Sequence, residues 1–394
     1  MTSEWETIKA EDFCYSITDG THDSPKAKEN GHYLITSKHL APYAIDFSSA
    51  KRISEEDYQK VIKRSPVEQW DILFSMIGTI GITYLEKNTD IDYACKNMGI
   101  FKFNGDKEKA YWLYYFLQTP QAKEYILGHL RGTTQQYLPL GSLRDFPIQV
   151  PSAEIRNNIT SILRSLDDRI AVNTAINENL EQQAQALFKA WFVDFEPFGG
   201  AMPEDWRIGT LSEICGYSKD KVDIDDLTLD TYYSTENMQP NRQGAVQATT
   251  LPTIKQTTAC KKGNVLISNI RPYFKKIIYC FADCGCSTDV LCFVPKKSEY
   301  SAFLYCALYS DKFFDFMVAG SKGTKMPRGD KQQIMMYPIC IPSAEYIEQF
   351  SQAVTPMLET VYANRLEANN LAILRDTLLP KLMNGEIDVS AVKV

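Results

Sequence analysis

The 394-residue sequence predicts an α+β protein built by internal duplication, with two similar α/β domains joined by two long helices. Three observations predict this fold. The tail of the first half recurs without a gap in the second half, and apolar residues in both tails recur every 3.5 positions. Strand-like and helix-like runs alternate in the region before each tail. At about 100–200 residues per domain, the chain holds two or three folded units.

The duplication is clearest around two copies of the sequence PSAE. Residues 151–154 recur at 342–345, an offset of 191, and the same offset carries Asn173 onto Asn364. The halves also begin alike, with Trp5 matched by Trp206 at an offset of 201. The predicted division is a first domain over 1–150, a helix over 151–198, a second domain over 199–341, a helix over 342–386 and a C-terminal tail over 387–394.

Both tails have the pattern of a helix with a coiled-coil seam, because their apolar residues alternate at spacings of four and three. Pro356 and Pro380 should kink or end the second helix locally. We expect the helices to pair with each other, since both carry an asparagine at the same seam position. The alternative is two separate helices, each packed on its own domain. The predicted seam residues are Ile159, Leu163, Leu166, Ile170, Asn173, Leu180, Leu187, Val354, Met357, Val361, Asn364, Leu371 and Leu378.

The regions before the tails read as mixed α/β domains. In the first, the strand-like run at 70–85 precedes the helix-like run at 109–127. In the second, the strand-like run at 263–281 precedes the helix-like run at 299–317. Each region therefore predicts one compact α+β domain.

Composition places the chain among cytoplasmic globular proteins. It has no run of about 18 apolar residues and no N-terminal secretory pattern, so we expect no membrane association and reduced thiols for its ten cysteines. The cluster Cys280, Cys284, Cys286 and Cys292 suggests zinc, but its spacing is unusual for zinc and the run around it resembles strand, so we predict no metal.

The charge distribution leaves nucleic-acid binding open. The formal net charge of −7 argues mildly against it, yet residues 255–331 hold 13 Lys and Arg against 6 Asp and Glu. A local basic face can bind phosphate even in an acidic protein. The alternative is a solvated surface that happens to be basic.

The sequence lacks the usual catalytic signatures. It contains no GxxxxGK[ST] phosphate loop, no acidic-x-Lys triplet and no Asn/Asp-Pro-Pro-aromatic tetrapeptide. All four histidines lie in the first half, whereas a duplicated protein that used histidine catalysis should carry histidine in both halves. We therefore predict no catalytic residues and no cofactor in this chain.

Polar loops between the predicted elements are the remaining candidates for function. They carry side chains that hydrogen-bond base edges and phosphates, although the same residue types also form ordinary turns. Because such loops occur in both halves, we predict DNA binding. The candidate DNA-binding residues are His22, Ser24, Lys26, Thr36, Ser37, Lys38, Ser75, Gly78, Thr79, Arg131, Thr133, Thr134, Gln135, Ser234, Thr235, Asn237, Ser268, Asn269, Arg271, Tyr273, Lys275, Lys276, Lys322, Lys325 and Arg328.

With these features in place, the sequence resembles the specificity subunits of type I restriction-modification systems. The resemblance covers essentially the whole chain. It rests on the two-unit layout and on DGTHDSP at 19–25, GTTQQYLPLGSLRDFPIQVPS at 132–152, FKAWFVDFEP at 188–197 and LMNGEI at 382–387. The second unit departs from the pattern, because it has no DGTH counterpart and MPRGDKQQI replaces the QYLPLGSLRDF stretch.

The resemblance implies that each domain is a target recognition domain for one half of a split, asymmetric double-stranded DNA site. It also implies that the helices form an antiparallel coiled-coil spacer. Two methyltransferase subunits would bring S-adenosylmethionine, and restriction subunits would bring ATP-driven translocation with its Mg²⁺. We assign partner docking to Trp191, Phe192, Asp194 and Phe195. Two alternatives stay open, a specificity subunit of another methyltransferase-based defence system and a coiled-coil scaffold without DNA contact.

Overall fold

The computed structural model describes residues 5–41 and 43–392, which form two compact units. The first unit runs up to Asp168 and resumes at Leu371, and the second unit is Arg169–Asn370. Among the residues described, no helix is both long enough and apolar enough to cross a membrane.

The first unit combines a four-stranded antiparallel sheet, a three-stranded mixed sheet and two antiparallel pairs of strands. Its strands are β1 (Glu6–Lys9), β2 (Ser16–Asp19), β3 (His32–Ile35), β4 (Leu40–Ala41), β5 (Ala44–Ile45), β6 (Lys51–Ile53), β7 (Ile72–Ser75), β8 (Thr83–Leu85), β9 (Tyr93–Cys95), β10 (Met98–Lys102) and β11 (Pro147–Val150). Its helices are α1 (Ala10–Phe13), α2 (Glu55–Arg64), α3 (Lys107–Phe116), α4 (Pro120–Gly128), α5 (Leu140–Arg144) and the beginning of α6 (Ala153–Phe192). The sheet orders are β2-β10-β7-β8, β6-β3-β9, β1-β11 and β4-β5.

The second unit repeats this plan. Its strands are β12 (Arg207–Thr210), β13 (Cys215–Tyr217), β14 (Lys221–Asp223), β15 (Tyr232–Tyr233), β16 (Gln256–Cys260), β17 (Val265–Ser268), β18 (Ile277–Tyr279), β19 (Cys284–Cys286), β20 (Val290–Pro295) and β21 (Pro338–Ile341). Its helices are α7 (Ser301–Tyr309), α8 (Asp311–Ala319), α9 (Lys331–Met335) and most of α10 (Ala344–Met383).

The two units share the topology of two of their sheets, whereas the remaining sheet of the second unit, β14-β16-β19-β15, has four strands where β6-β3-β9 has three. The order β13-β20-β17-β18 reproduces β2-β10-β7-β8, and the pair β12-β21 reproduces β1-β11. Helix caps match as well, since Thr119 accepts from the Ala122 amide at 3.2 Å and Ser310 accepts from the Phe313 amide at 3.2 Å. These two caps lie 191 residues apart, the offset of the sequence repeat. The predicted α+β fold with two similar domains is confirmed.

Each core joins the sheet helices to the long helices. In the first unit Trp112 of α3 packs in one buried cluster with Ile159 and Leu163 of α6. In the second unit Phe303 of α7 packs in one cluster with Phe350 of α10. Burying such a side chain contributes roughly 1.5–3 kcal/mol, so the helices are integral to both cores.

The long helices pair antiparallel within each unit. In the first unit Asp167 of α6 contacts Arg375 of α10, and Asn158, nearer the start of α6, donates at 3.1 Å to the carbonyl of Val389, which follows the end of α10. In the second unit the Asn364 amide donates to Asn177 Oδ1 at 3.0 Å. All the predicted seam residues are buried or half-buried.

Helix α10 continues through both of its prolines. Of the two expected effects of Pro356 and Pro380, a kink or a local end, the end does not occur, since helix is continuous from Ala344 to Met383. Pro356 faces solvent, where water can satisfy the carbonyl of Gln352 that loses its amide partner.

Candidate nucleic-acid interface

Polar loops of the first unit meet at one end of its four-stranded sheet. β2 ends at Asp19, opposite Gly99, and β7 ends at Ser75, opposite Met98. The loops that follow, 20–26 and 76–82, therefore leave the sheet at the same end. A third loop, 131–137, joins them, because Tyr137 is bridged to Ile77.

The second unit builds the same arrangement. β17 ends at Ser268, opposite Val290, so loops 269–276 and 287–289 leave the sheet together. Loop 322–328 closes on itself through amide–carbonyl bonds of 2.9 Å in both directions between Lys322 and Arg328, as loop 131–137 does between Arg131 and Tyr137.

A glycine fixes the turn at the start of each of these closed loops. Gly132 has φ +89° and Gly323 has φ +98°, and both follow the loop's first residue. A Cβ on Gly132 would lie 2.4 Å from the Gln135 carbonyl oxygen, so no other residue fits without a shift. The site is thus duplicated in backbone geometry as well as in sequence.

Most of the first unit's candidate residues lie exposed on or beside these loops. Thr36 and Ser37 are half-buried beside them, because the Lys96 amide donates to the Ile35 carbonyl and Lys96 is bridged to Thr21. The exposed candidates are His22, Ser24, Lys26, Lys38, Gly78, Thr79, Arg131, Thr133, Thr134 and Gln135.

His22 belongs to a polar cluster that sequence reasoning did not find. Its Nε2 lies 2.8 Å from Asp19 and its Nδ1 lies 2.9 Å from the Asn97 side-chain oxygen. Arg64 of α2 donates to the second oxygen of Asp19 at 2.5 Å. A polar dipeptide between two apolar runs, Lys96-Asn97, was the available signal for this loop.

The second unit divides its candidates between surface and interior. Tyr273, Lys322, Lys325 and Arg328 are exposed, whereas Ser234, Thr235, Arg271, Lys275 and Lys276 are half-buried. Asn269 is buried, yet its Oδ1 has no hydrogen-bond partner among the residues described, and neither does Nε of Arg271. Unsatisfied buried polar atoms are rare, and both of these atoms belong to loop 269–276.

Three predictions of direct contact are corrected, because the residues are buried and engaged. Ser75 is fully buried and its hydroxyl accepts from the Ile82 amide at 2.7 Å. Asn237 donates to the Tyr232 and Val246 carbonyls, and its oxygen accepts from the Ser234 amide at 2.7 Å. The Ser268 hydroxyl lies 3.1 Å from that of Thr235. These side chains shape loops and do not reach outward.

The two lysines of loop 269–276 are held by the protein. Lys276 donates to the Thr235 carbonyl at 2.7 Å, and burial lowers the pKa of its ammonium group. Lys275 lies 2.6 Å from Asp311, and its hydrogen bond, followed by that of Arg242, lowers the pKa of Asp311 to about 2. Both cations therefore stiffen the loop.

Several other cations face solvent. Lys26, Lys38, Arg131 and Lys325 form no ion pair within the described part of the chain. Because they carry uncompensated charge at the loops, they suit phosphate contacts.

Two further cations at these loops are paired with carboxylates. Lys322 pairs with Asp330 at 2.6 Å, and Arg328 pairs with Asp289 at 3.0 Å. Sequence reasoning did not select either carboxylate.

Two of the four residues assigned to partner docking, Phe192 and Phe195, line an apolar groove of about 610 Å³ in the second unit. Trp191, Asp194 and Phe195 are half-buried. Phe192 is a core residue, 3% exposed, with its ring 4.8 Å from that of Phe303, so its assignment to direct docking is corrected.

The cysteines are structural in the part of the chain described. All ten are buried free thiols, and burial raises the pKa of Cys340 to about 11. Over residues 5–41 and 43–392, no three or more His, Cys, Asp or Glu side chains are arranged to hold a metal ion.

A duplicated α+β fold that gathers amide, hydroxyl and cationic side chains at equivalent loop clusters is the arrangement expected of a protein that reads nucleic-acid sequence. Comparison with known proteins points to the same class. Residues 2–182 match the type I restriction modification DNA specificity domain. The chain resembles the specificity subunits of type I restriction-modification systems.

Relatives match over nearly the whole chain. The type I restriction enzyme MjaIX specificity subunit of Methanocaldococcus jannaschii is 26% identical, covering 99% of this chain and 95% of the relative. The HindI specificity subunit of Haemophilus influenzae is 23% identical, covering 82% and 88%. The S subunit of M. genitalium, a solved type I structure, shares the fold with a TM-score of 0.62 at 16% identity and covers 96% of both chains.

Proposed function

We propose that the chain reads a split, asymmetric DNA site, with one half-site for each unit. The observation that carries this proposal is the duplicated loop cluster, whose backbone is repeated while its side chains differ. Gly132 and Gly323 are retained, but the residues after them read TTQQY in one unit and TKMPR in the other. One scaffold with two different sets of side chains is suited to two different half-sites.

The proposal includes the rest of the complex. Two adenine methyltransferase subunits would dock on this chain and carry S-adenosylmethionine, and restriction subunits would carry ATP and Mg²⁺. The half-buried Phe195, which lines the apolar groove, and its half-buried neighbours Trp191 and Asp194 support a docking role. The target recognition domains would span 1–150 and 199–341, and the complex would act in the cytoplasm, where the DNA lies.

Methylome sequencing tests the proposal. Host cells with and without the gene should differ in one adenine-methylated motif made of two specified parts separated by unspecified bases. A variant in which residues 322–328 of the second unit are replaced by the sequence of residues 131–137 should change the bases read on one side of the motif only. A continuous motif, or no difference between the strains, would refute the proposal.

A further inference from the structure

Loop 269–276 of the second unit contains a short helical turn with strained ends. Pro272–Phe274 form a 3₁₀ turn, and Arg271 and Lys275 on either side have φ values of +50° and +52°. Residues other than glycine adopt this conformation only at a cost in free energy, and such strain clusters at functional sites. The turn leaves two aromatic rings in solvent, with Tyr273 48% exposed and Phe274 38% exposed. The two ring centroids are 4.8 Å apart.

Backbone hydrogen bonds hold the aromatic turn, defined here as residues 271–275, in place. The Arg271 amide donates to the Pro327 carbonyl at 2.8 Å, which ties one end to loop 322–328. The Asn241 amide donates to the Phe274 carbonyl at 2.8 Å, which ties the other end to a neighbouring loop. Neither bond uses the aromatic side chains, so the rings are presented by a fixed backbone.

Side-chain contacts add to this rigidity. The Lys275 ammonium lies 2.6 Å from Asp311 at the start of α8, and Lys276 donates to the Thr235 carbonyl at 2.7 Å. Rigid aromatic groups that remain in solvent gain little from folding, but they lose little conformational entropy when they bind a partner. The construction suits recognition.

The neighbouring charges indicate the kind of partner. Loop 322–328, which accepts the hydrogen bond from Arg271, carries the exposed and unpaired cation Lys325, together with Lys322 and Arg328, which are exposed but paired with carboxylates. Aromatic rings beside cations match DNA, because the rings stack on bases while the cations contact phosphates. Apolar side chains inserted between base steps partly unstack and kink a duplex.

The first unit has no such turn. Its equivalent loop, 76–82, reads MIGTIGI and contains no aromatic residue. Aromatic rings at this loop position therefore occur only in the second unit; the exposed aromatic residue of the first unit's loop cluster, Tyr137, lies at the end of loop 131–137 instead.

We propose that Tyr273 and Phe274 form an aromatic wedge that unstacks one base step in the half-site read by the second unit, and not in the other. The inference rests on the proposed function. It adds a physical step, local opening of the duplex, which lowers the cost of rotating a nearby base out of the stack.

The test uses the full chain assembled with its methyltransferase subunits and DNA carrying the methylated motif. 2-Aminopurine is placed in turn at each position of both half-sites, and its fluorescence reports unstacking. The unmodified protein should raise fluorescence at one step of the second unit's half-site that lies outside the target adenine. Tyr273→Ala with Phe274→Ala should abolish that rise and weaken binding by about 5- to 150-fold, the range expected for losing one stacked base.

Two variants serve as controls. Tyr273→Phe keeps the ring and should keep the fluorescence rise. Tyr15→Ala truncates an aromatic residue that is 72% exposed but lies at the opposite end of β2 from loop 20–26, so it should change nothing.

The outcomes separate the wedge from the proposed function. If the unmodified complex has no sequence preference, the proposed function fails. If the complex reads its site but shows no fluorescence rise in the second half-site, or the alanine variant keeps the rise, the wedge is refuted. If the alanine variant instead loses methyltransferase binding without DNA, the turn is a protein contact, and the wedge is again refuted.

Discussion

The guanidinium of Arg375 on α10 lies 2.8 Å from the carboxylate of Asp167 on α6, and both side chains are 9% exposed. The hydroxyl of Tyr115, from α3, donates to the other oxygen of Asp167 at 2.8 Å. One carboxylate thus joins both long helices to the globular part of the first unit. A related group in the second unit uses Glu181, which accepts from Arg365 and Tyr309.

Breaking the pair in the first unit should be costly. Arg375→Ala leaves a buried carboxylate without its counter-charge, so we expect the free energy of unfolding to fall by about 3–5 kcal/mol. Urea denaturation of the full chain measures this loss. Replacing the group with Asp167→Leu, Arg375→Leu and Tyr115→Phe should restore most of the stability, because no charge is then buried. If the single and triple variants had equally low free energies of unfolding, the unpaired buried carboxylate would not be the cause of the loss in Arg375→Ala.

Asparagines in the seam of the second unit are expected to stabilise its helix pairing. Asn177 is 7% exposed, donates to the Val361 carbonyl at 3.3 Å and accepts from Asn364 at 3.0 Å. Asn177→Ala should lower the free energy of unfolding by about 1–3 kcal/mol, since it leaves partly buried polar groups unpaired. Urea denaturation measures this loss. Asn179→Ala is the matched control, because Asn179 lies two residues along the same helix and is exposed. Equal losses for the two variants would contradict the seam role.

The first unit should lose one stabilising contribution as pH rises. His32 lies between Glu55 and Asp92 and stacks on Tyr58, and hydrogen bonds to Glu55 and then Asp92 raise the pKa of its imidazole above the ordinary value of 6.5. The charged ring therefore stabilises the fold fully below pH 6.5, and this contribution is lost as pH rises through the raised pKa. His32→Gln should lower the melting temperature at pH 5.5 and have a smaller effect at pH 9.

The carboxylates provide the control for this prediction. In a chain that already carries Glu55→Gln and Asp92→Asn, adding His32→Gln should no longer lower the melting temperature more at pH 5.5 than at pH 9. The anions that raise the pKa of His32 are then gone. If the difference in melting temperature between the unmodified chain and His32→Gln stays constant with pH, the neighbouring carboxylates do not hold His32 in its charged form.

Unpaired cations of the two closed loops should each contribute to phosphate binding. Arg131 and Lys325 are exposed and form no ion pair within the described part of the chain. Arg131→Ala and Lys325→Ala should each reduce the salt dependence of DNA binding by about one unit of slope, and weaken binding to all sequences alike. Binding is measured over a salt series with the methyltransferase complex. Lys60→Ala is the control, since Lys60 is exposed on α2 and paired with Glu56 at 2.7 Å. A change in the preferred bases instead would mean that the residue reads sequence.

The sequence by itself determined the duplication, the order of the elements and the long helices. These features depend on local periodicity and on internal similarity, which a chain displays without reference to its fold. The seam residues predicted from the 3.5-residue spacing are all buried or half-buried. The helix caps Thr119 and Ser310 are separated by the same 191 residues as the two copies of the sequence repeat.

The tertiary structure alone decided which polar residues face solvent. Ser75 and Ser268 read as loop residues, yet each ends a central strand whose neighbours bury it. His22 contacts Asp19 and also Asn97, which lies 75 residues away in the sequence. Arg375 contacts Asp167, which lies 208 residues away. Burial and pairing depend on groups brought together from distant parts of the chain, so a local pattern cannot specify them.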